Sequence, residues 1–250
     1  MDLIKEIKEK KELKSLPNEL IDSVLKNYLQ KNKIKDAISD KNKKIIIKEV
    51  RSELRKYTGQ YVSNSDIKSR PDLLKEQKFE DLLGKHKSTK ERFEDYLLVK
   101  EMIQKINPST ILDLGCGLNP LAIANDKTKY YAYDINSDDL EVVKQFFKSK
   151  KIQGFTFHED IRKIEKFPKV DLCIIFKVLD ILGDNRNEIS KKLMEKIDSK
   201  YFIVSFATRT LSGKPMNSPY RRWFENILKS LNYSYQVKRT KQELFYIIQK

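Results

Sequence analysis

Ile111-Leu112-Asp113-Leu114-Gly115-Cys116-Gly117-Leu118-Asn119-Pro120-Leu121-Ala122 is an apolar run that stops at two closely spaced glycines and resumes behind a proline. The run predicts a buried strand. Gly115 and Gly117 let the backbone turn sharply and approach a ligand, and Pro120 suits the first turn of a helix, where a missing N–H costs nothing. Strand, loop and helix start in this order predict a cradle for a nucleotide-like cofactor. A dinucleotide fingerprint needs a third glycine for close helix packing, and Asn119-Pro120 stand in its place. The plainer alternative is a strand and turn whose glycines serve geometry alone.

Outward from this stretch, the chain divides at Pro108. Beyond it, strands are expected at 110–114, 129–133, 155–158, 170–176 and 201–206, with helices near 137–150 and 187–197, an α/β pattern with a parallel sheet. The tail reads as a helix at 223–231 and two strands, 233–238 and 243–249, separated by a turn. Before Pro108 the apolar spacing is helical: Leu3, Ile4, Ile7 and Leu13, then Leu20, Ile21, Val24, Leu25 and Tyr28, then 45–57. Gly59, Asn64, Ser65 and Pro71 are expected to break these helices into a small bundle, with a further short helix at 73–83 ending near Gly84. Ser88-Thr89-Lys90-Glu91 has capping-box spacing and predicts one long helix through Ile106, closed by Asn107-Pro108. Two domains are expected, a helical one over 1–85 and an α/β one over 86–250.

A hydrophobic fraction of 39% over 250 residues is enough to bury a core. The apolar run 172–176 is far short of a membrane span, and 1–11 is too charged for a signal peptide, so no membrane association and a cytoplasmic location are expected. Cys116 and Cys173 fall on or beside central strands and read as reduced, buried thiols, and two histidines rule out a Cys/His zinc cluster, so no metal is expected. Lys plus Arg is 51 against 36 acidic residues, and the net charge of +15 predicts a polyanionic partner. Between Ser199 and Phe224 there is no acidic residue. Basic and aromatic side chains interleave there, and the stretch after Ser205, with Arg209, Lys214, Tyr220, Arg221, Arg222, Trp223 and Phe224, suits RNA. A second basic stretch, 31–55, supplies Lys43, Lys44, Arg51 and Arg55 as further RNA-binding candidates, although lysine-rich helix faces are commonly just solvated.

The chemistry is expected at the ends of the strands. Asp134 ends the second strand about twenty residues beyond Gly115, where an acid accepts both ribose hydroxyls of a nucleoside. Asp160 follows the third strand, where a carboxylate can take an adenine amino group while Ile135 and Ile161 sandwich the ring; the same spacing also suits a helix N-cap. Asp113 before Gly115-Cys116-Gly117 resembles the first motif of Rossmann-like S-adenosylmethionine-dependent methyltransferases, and the terminal hairpin resembles the usual ending of their sheet. In that class the residues after the fourth strand meet the substrate, here Phe176-Lys177-Val178-Leu179. The Asn/Asp-Pro-Pro-aromatic signature of amine methylation is missing, as is the Pro-Cys pair of pyrimidine C5 methylation. A target atom with a free lone pair, such as guanine N7, needs no general base, only in-line placement worth on the order of 7–11 kcal/mol. Phe176 either stacks on the base or fills the core. Lys177, a cation directly after a central strand, must contact backbone, cofactor or phosphate to be tolerated there.

Taken together, 86–92 (HKSTKER), 113–122, Ile175-Phe176-Lys177 and 204–214 (VSFATRTLSGK), with Tyr220 and Trp223-Phe224-Glu225, resemble the aminoglycoside-resistance 16S rRNA (guanine-N7)-methyltransferases of the Arm/Rmt type. Glu53-Leu54-Arg55 with Gly59-Gln60-Tyr61 is similar to a family segment in the helical domain. The resemblance implies a Rossmann-like methyltransferase sheet with a helical N-terminal domain that docks on the small ribosomal subunit. It further implies S-adenosyl-L-methionine as cofactor, 16S rRNA within that subunit as partner, and a monomer acting at N7 of a guanosine in the decoding site. Arg92 would bind the cofactor carboxylate, with Asp113, Gly115, Gly117, Asn119, Pro120, Asp134, Ile135, Asp160, Ile161 and Phe176 completing that site. Phe176 and Lys177 would position the target. The methylated N7 carries a fixed positive charge that repels polycationic aminoglycosides. The loop 214–220 is shorter than the family's and lacks its acidic residue. Competing readings are a small-molecule methyltransferase with a helical lid, and a non-catalytic ribosome-assembly factor.

Overall fold

The computed structural model describes residues 3–34, 40–58, 64–183, 185–210 and 213–250. The segment Gly59-Gln60-Tyr61 lies outside the described residues. Helices α1 (Leu3–Ile7), α2 (Asn18–Lys31) and α3 (Asp40–Thr58) follow the apolar spacing, and share one cluster built on Leu20, Ile21, Val24, Ile46, Val50 and Leu54. Pro71 does not break the chain as expected. It sits inside α4 (Asn64–Lys75), and the helix runs on past its missing N–H. After α5 (Phe79–Leu83) the predicted long helix is two, α6 (Lys87–Glu91) and α7 (Tyr96–Ile106), separated by a 3-10 turn over Phe93–Asp95. The capping box does not form: Ser88 lies inside α6, whose N-cap His86 makes no side-chain cap, and Thr89 Oγ1 donates backward to the carbonyls of Leu83 and His86. Asn107, at φ +50°, closes α7 in the left-handed conformation its side chain tolerates.

The rest of the chain is β1 (Thr110–Leu114), α8 (Pro120–Ile123), β2 (Lys129–Asp134), α9 (Ser137–Ser149), β3 (Gly154–His158), β4 (Val170–Phe176), α10 (Arg186–Lys196), β5 (Ser199–Ala207), α11 (Arg222–Ser230), β6 (Ser234–Arg239) and β7 (Glu243–Gln249). Sheet order is β3-β2-β1-β4-β5-β7-β6, parallel except for β7, which is antiparallel to both neighbours as the terminal hairpin predicts. Along β4, Leu172, Ile174 and Phe176 pack on one face with Phe146 and Phe245, while Cys173 and Ile175 pack on the other with Phe202, Phe206 and Phe224. Phe79, Leu82 and Leu83 of α5 join the first of these cores rather than the cluster of α1 to α3. Both cysteines are free and buried. Among the described residues no helix is long and apolar enough to cross a membrane.

The strand order reverses between β1 and β4. Crevices outside the carboxyl ends of parallel strands at such a point are where open α/β sheets take ligands.

Candidate active site

The glycine loop after β1 is pinned to the end of β2. Gly115 and Cys116 donate their N–H groups to Tyr133 O (2.8 and 3.0 Å), and Gly117 N–H donates to Asp134 Oδ2 (2.8 Å). Gly115 has φ +66°, and a Cβ there would lie 2.4 Å from Val178 Cγ2; Gly117 has φ +47° and faces the His86 ring. Gly115 is therefore favoured for space and for backbone sign, and Gly117 for backbone sign. Asp134 Oδ1 also accepts Asn136 N–H (2.8 Å). Burial pushes the Asp134 carboxyl up to about 6, with the Asp139 charge adding to the rise and the backbone donors opposing it. Each oxygen keeps a further lone pair, so the group can still accept hydroxyls.

A cleft of about 110 Å³ opens here, lined by Gly115, Gly117, Asp134, Ile135, Asp160, Ile161 and Phe176 and walled by Leu20 and Tyr57 from the N-terminal helices. Six of the sequence-derived cofactor residues thus converge with Phe176 on one cavity. Asp160 does not cap a helix; it accepts Arg162 Nε (2.9 Å) and Nη2 (2.7 Å) across a turn. Arg162 Nη1 in turn donates to Tyr57 Oη (3.0 Å), and its guanidinium lies 5.1 Å from the Tyr57 ring centre.

Arg92, Asp113, Asn119 and Pro120 lie behind this cleft and are not among the residues that line it. Arg92 is fully buried. Its Nη1 donates to Asn119 Oδ1 (2.6 Å) and its Nη2 to Glu243 Oε2 (3.1 Å), while Nε lies 2.9 Å from Glu243 Oε1. The guanidinium sits 4.5 Å from the Phe176 ring centre, so the cation braces the cleft's aromatic wall. Tyr96 Oη also donates to Asn119 Oδ1 (2.9 Å), and Pro120 occupies the first turn of α8.

Asp113 is buried beneath the loop and accepts Tyr130 Oη (2.7 Å). Burial raises its carboxyl to about 7 from an ordinary 3.8. The folded chain then keeps a proton that the unfolded chain has released, so this contribution is full below pH 4 and is lost as the pH climbs to 7. Asp113→Asn accepts the same hydroxyl without that loss. It should gain on the wild type by about 1–3 kcal/mol between pH 5 and pH 8 in thermal denaturation, and a constant difference would contradict the assignment.

Lys177 adopts φ +59°, rare for a residue with a side chain. Its N–H donates to Ser205 O (2.9 Å), and its Nζ lies 2.9 Å from Glu91 Oε2 and 3.2 Å from Glu243 Oε1. A pair of carboxylates, partners not anticipated from the sequence, thus makes this cation tolerable beside the core. Phe176 is buried and packs edge-on against Phe245 at 5.7 Å, a wall as much as a contact. A second cavity of about 850 Å³ adjoins the first, with Lys56, Lys87, Arg186, Arg209 and Lys241 among its lining. Tyr57, Lys177 and Ile181 line both cavities.

The RNA-binding candidates separate into two groups. Lys44, Lys214, Tyr220 and Arg222 are exposed, and Arg209 lines the second cavity. Lys43 pairs with Glu6, Arg51 donates to the carbonyls of Glu6 and Ile7, and Arg55 pairs with Glu12, all within the helical cluster. Arg221 forms a fork on Asp180 (2.8–3.1 Å) and donates to Ala207 O. Lys43, Arg51, Arg55 and Arg221 thus have intramolecular partners, Arg55 while still exposed, and Phe224 is buried in the core. Glu243, Tyr57 and Arg162 enter the site without having been singled out. Arg162 carried a local signal, two residues after Asp160; the other two carried none.

The family described as Ribosomal RNA methyltransferase (FmrO) matches residues 65–247. The chain belongs to that family. The FmrO match covers the sheet except for the last two residues of β7, and it begins after α3. A curated 16S rRNA (guanine(1405)-N(7))-methyltransferase from Serratia marcescens is 30% identical over 216 residues, 84% of this chain and 85% of the relative. The solved structure of the 16S rRNA methylase RmtB superposes with a TM-score of 0.81 at 25% identity, covering 100% of this chain and 97% of that one. The structure of the 16S rRNA methyltransferase RmtF, solved with S-adenosyl-L-homocysteine, shares the fold with a TM-score of 0.84 at 21% identity over 100% and 99% of the two chains. Helices α1 to α3, outside the FmrO match, thus have counterparts in both solved folds.

Proposed function

We propose that this protein transfers the methyl group of S-adenosylmethionine to N7 of a guanosine in 16S rRNA, acting as a monomer on the decoding site of the small ribosomal subunit. The observation that carries the reading is the meeting of two cavities at Tyr57, Lys177 and Ile181, one floored by carboxylates and bare glycine backbone, the other basic. The first suits a nucleoside with an amino-acid tail. Asp134 retains acceptors for ribose hydroxyls, Asp160 for an adenine amino group once Arg162 yields one oxygen, and Ile135 and Ile161 offer apolar faces for the ring.

When bound, the cofactor supplies an electrophilic methyl on a sulfonium. The chain's own part is to hold the donor, to exclude water behind Phe176, and to set the base in line from the second cavity. Guanine N7 carries a lone pair and no proton, so no residue has to act as a base. Lys56, Lys87, Arg186, Arg209 and Lys241 around the second cavity favour a polyanion over an apolar small molecule. In this reading residues 1–85 dock on the subunit and residues 86–250 bind cofactor and perform the transfer.

Transfer of labelled methyl from S-adenosylmethionine to small subunits, with naked 16S rRNA in parallel, tests the proposal; absence of transfer to both refutes it. Docking has a separate test. Lys214→Glu combined with Arg222→Glu should weaken subunit binding roughly tenfold or more and reduce its salt slope by about two, one per phosphate contact. Cofactor affinity should stay unchanged, and a salt slope equal to that of the wild type would remove these residues from the interface.

A further inference from the structure

Glu243 is a fully buried carboxylate on β7, the chain's last strand, and lies behind a site whose glycine loop, Asp134 and Phe176 come from the ends of β1, β2 and β4. Its Oε2 accepts Ser205 Oγ (2.6 Å) and Arg92 Nη2 (3.1 Å). Its Oε1 is shared, 2.9 Å from Arg92 Nε and 3.2 Å from Lys177 Nζ. One carboxylate therefore lies between the cation that braces the cofactor wall and the cation at the junction of the two cavities.

Lys177 is otherwise poorly restrained. Its ammonium is a compact charge on a flexible four-carbon stem, and its other partner, Glu91, is about 38% exposed on a helix of five residues. Ser205 fixes both ends of the arrangement: its carbonyl accepts the Lys177 N–H, and its hydroxyl donates to Glu243. Burial alone would favour a neutral Glu243, but Arg92 and Lys177 hold its carboxyl below the ordinary range, so it stays charged beside them.

We propose that Glu243 is a positioning residue for methyl transfer, fixing the Lys177 ammonium at the junction where cofactor and target meet. The inference rests on the methyltransferase reading above. Glu243 touches neither substrate nor cofactor and acts through Lys177. A glutamine amide in its place cannot serve both cations, because either orientation turns its NH₂ toward one of them. Arg92 remains held by Asn119, whereas Lys177 keeps at most a neutral amide oxygen beside its half-exposed partner.

The experiment is a double-mutant cycle on single-turnover methyl transfer to small subunits, with melting temperature measured on every variant. Glu243→Gln is expected to lower the transfer rate at saturating cofactor and subunit by about tenfold to a hundredfold, the scale of an ångström's misplacement. In a Lys177→Met background the same substitution should change the rate less than about twofold, while its loss of melting temperature, which runs through Arg92, persists. Ser205→Ala frees the carboxylate without burying an unmatched amide. It should show a smaller loss of rate with the same dependence on Lys177, and it decides the matter if Glu243→Gln does not fold. Equal losses in both backgrounds, or an unchanged rate in the otherwise wild-type chain, would overturn the role of Glu243. A wild-type chain that transfers no methyl at all would overturn the methyltransferase reading together with it.

Discussion

Asp134→Ala is expected to lower the affinity for S-adenosylmethionine by at least about a hundredfold while the chain still folds. Two ribose hydroxyls donating to an ionised carboxylate contribute on the order of 1.5–3 kcal/mol each, and loss of both corresponds to two or more decades in Kd. The carboxylate also receives the N–H groups of Gly117 and Asn136, so its removal loosens the glycine loop that shapes the cleft. The unpaired donors lie at a cleft surface that water can reach, so the cost to stability should stay within about 1–3 kcal/mol. Because the Asp134 carboxyl titrates near 6, wild-type affinity should weaken below that pH, approaching tenfold per unit, as protonation removes the acceptor. Isothermal titration of both proteins between pH 5 and pH 8 measures both effects. An alanine variant with wild-type affinity would remove Asp134 from the site.

Arg92→Met is expected to act on stability. Removing one partner of a buried ion pair typically costs about 3–5 kcal/mol, because the remaining charge is left uncompensated. Here the remaining groups are Glu243 and the Asn119 carbonyl oxygen, both deprived of their principal donor, and the Phe176 ring loses the cation against its face. For a chain of this size that loss corresponds to a fall of roughly 10 °C in melting temperature. Were Arg92 instead a surface ligand for the cofactor carboxylate, the same variant would keep its melting temperature and lose only affinity. Differential scanning calorimetry of the apo variant separates the two.

The parts of the site that were legible before the fold are those specified by local chemistry. Two glycines two residues apart behind an apolar run imply positive φ, and Gly115 and Gly117 have it; Pro120 at the head of a helix follows from its missing N–H. Asp134 and Asp160 were legible because each lies at a strand end whose position follows from the α/β alternation. The sheet was legible for the same reason, down to the antiparallel last strand.

What escaped the sequence are long-range pairings. Arg92 could be recognised as a special cation, but its buried partner Glu243 lies 151 residues away and left no local signal. Arg221 looked like part of a basic surface because nothing along the chain ties it to Asp180, 41 residues before it. Phe224 sits among basic residues in sequence yet is fully buried, since in α11 the apolar face turns inward while Arg222 stays out. The expected long helix is likewise interrupted, by the 3-10 turn Phe93–Asp95, next to an Arg92 whose side chain reaches a carboxylate on β7.

The central claim is that a methyl group is moved to a guanine N7 in 16S rRNA. Small ribosomal subunits incubated with the protein and labelled S-adenosylmethionine, then digested to nucleosides and mapped by cleavage at N7-methylguanosine, test it most directly. Label is expected in N7-methylguanosine at a single position of 16S rRNA, abolished by Asp134→Ala. Label at another atom or in another RNA, or no label in either intact subunits or naked rRNA, would contradict it.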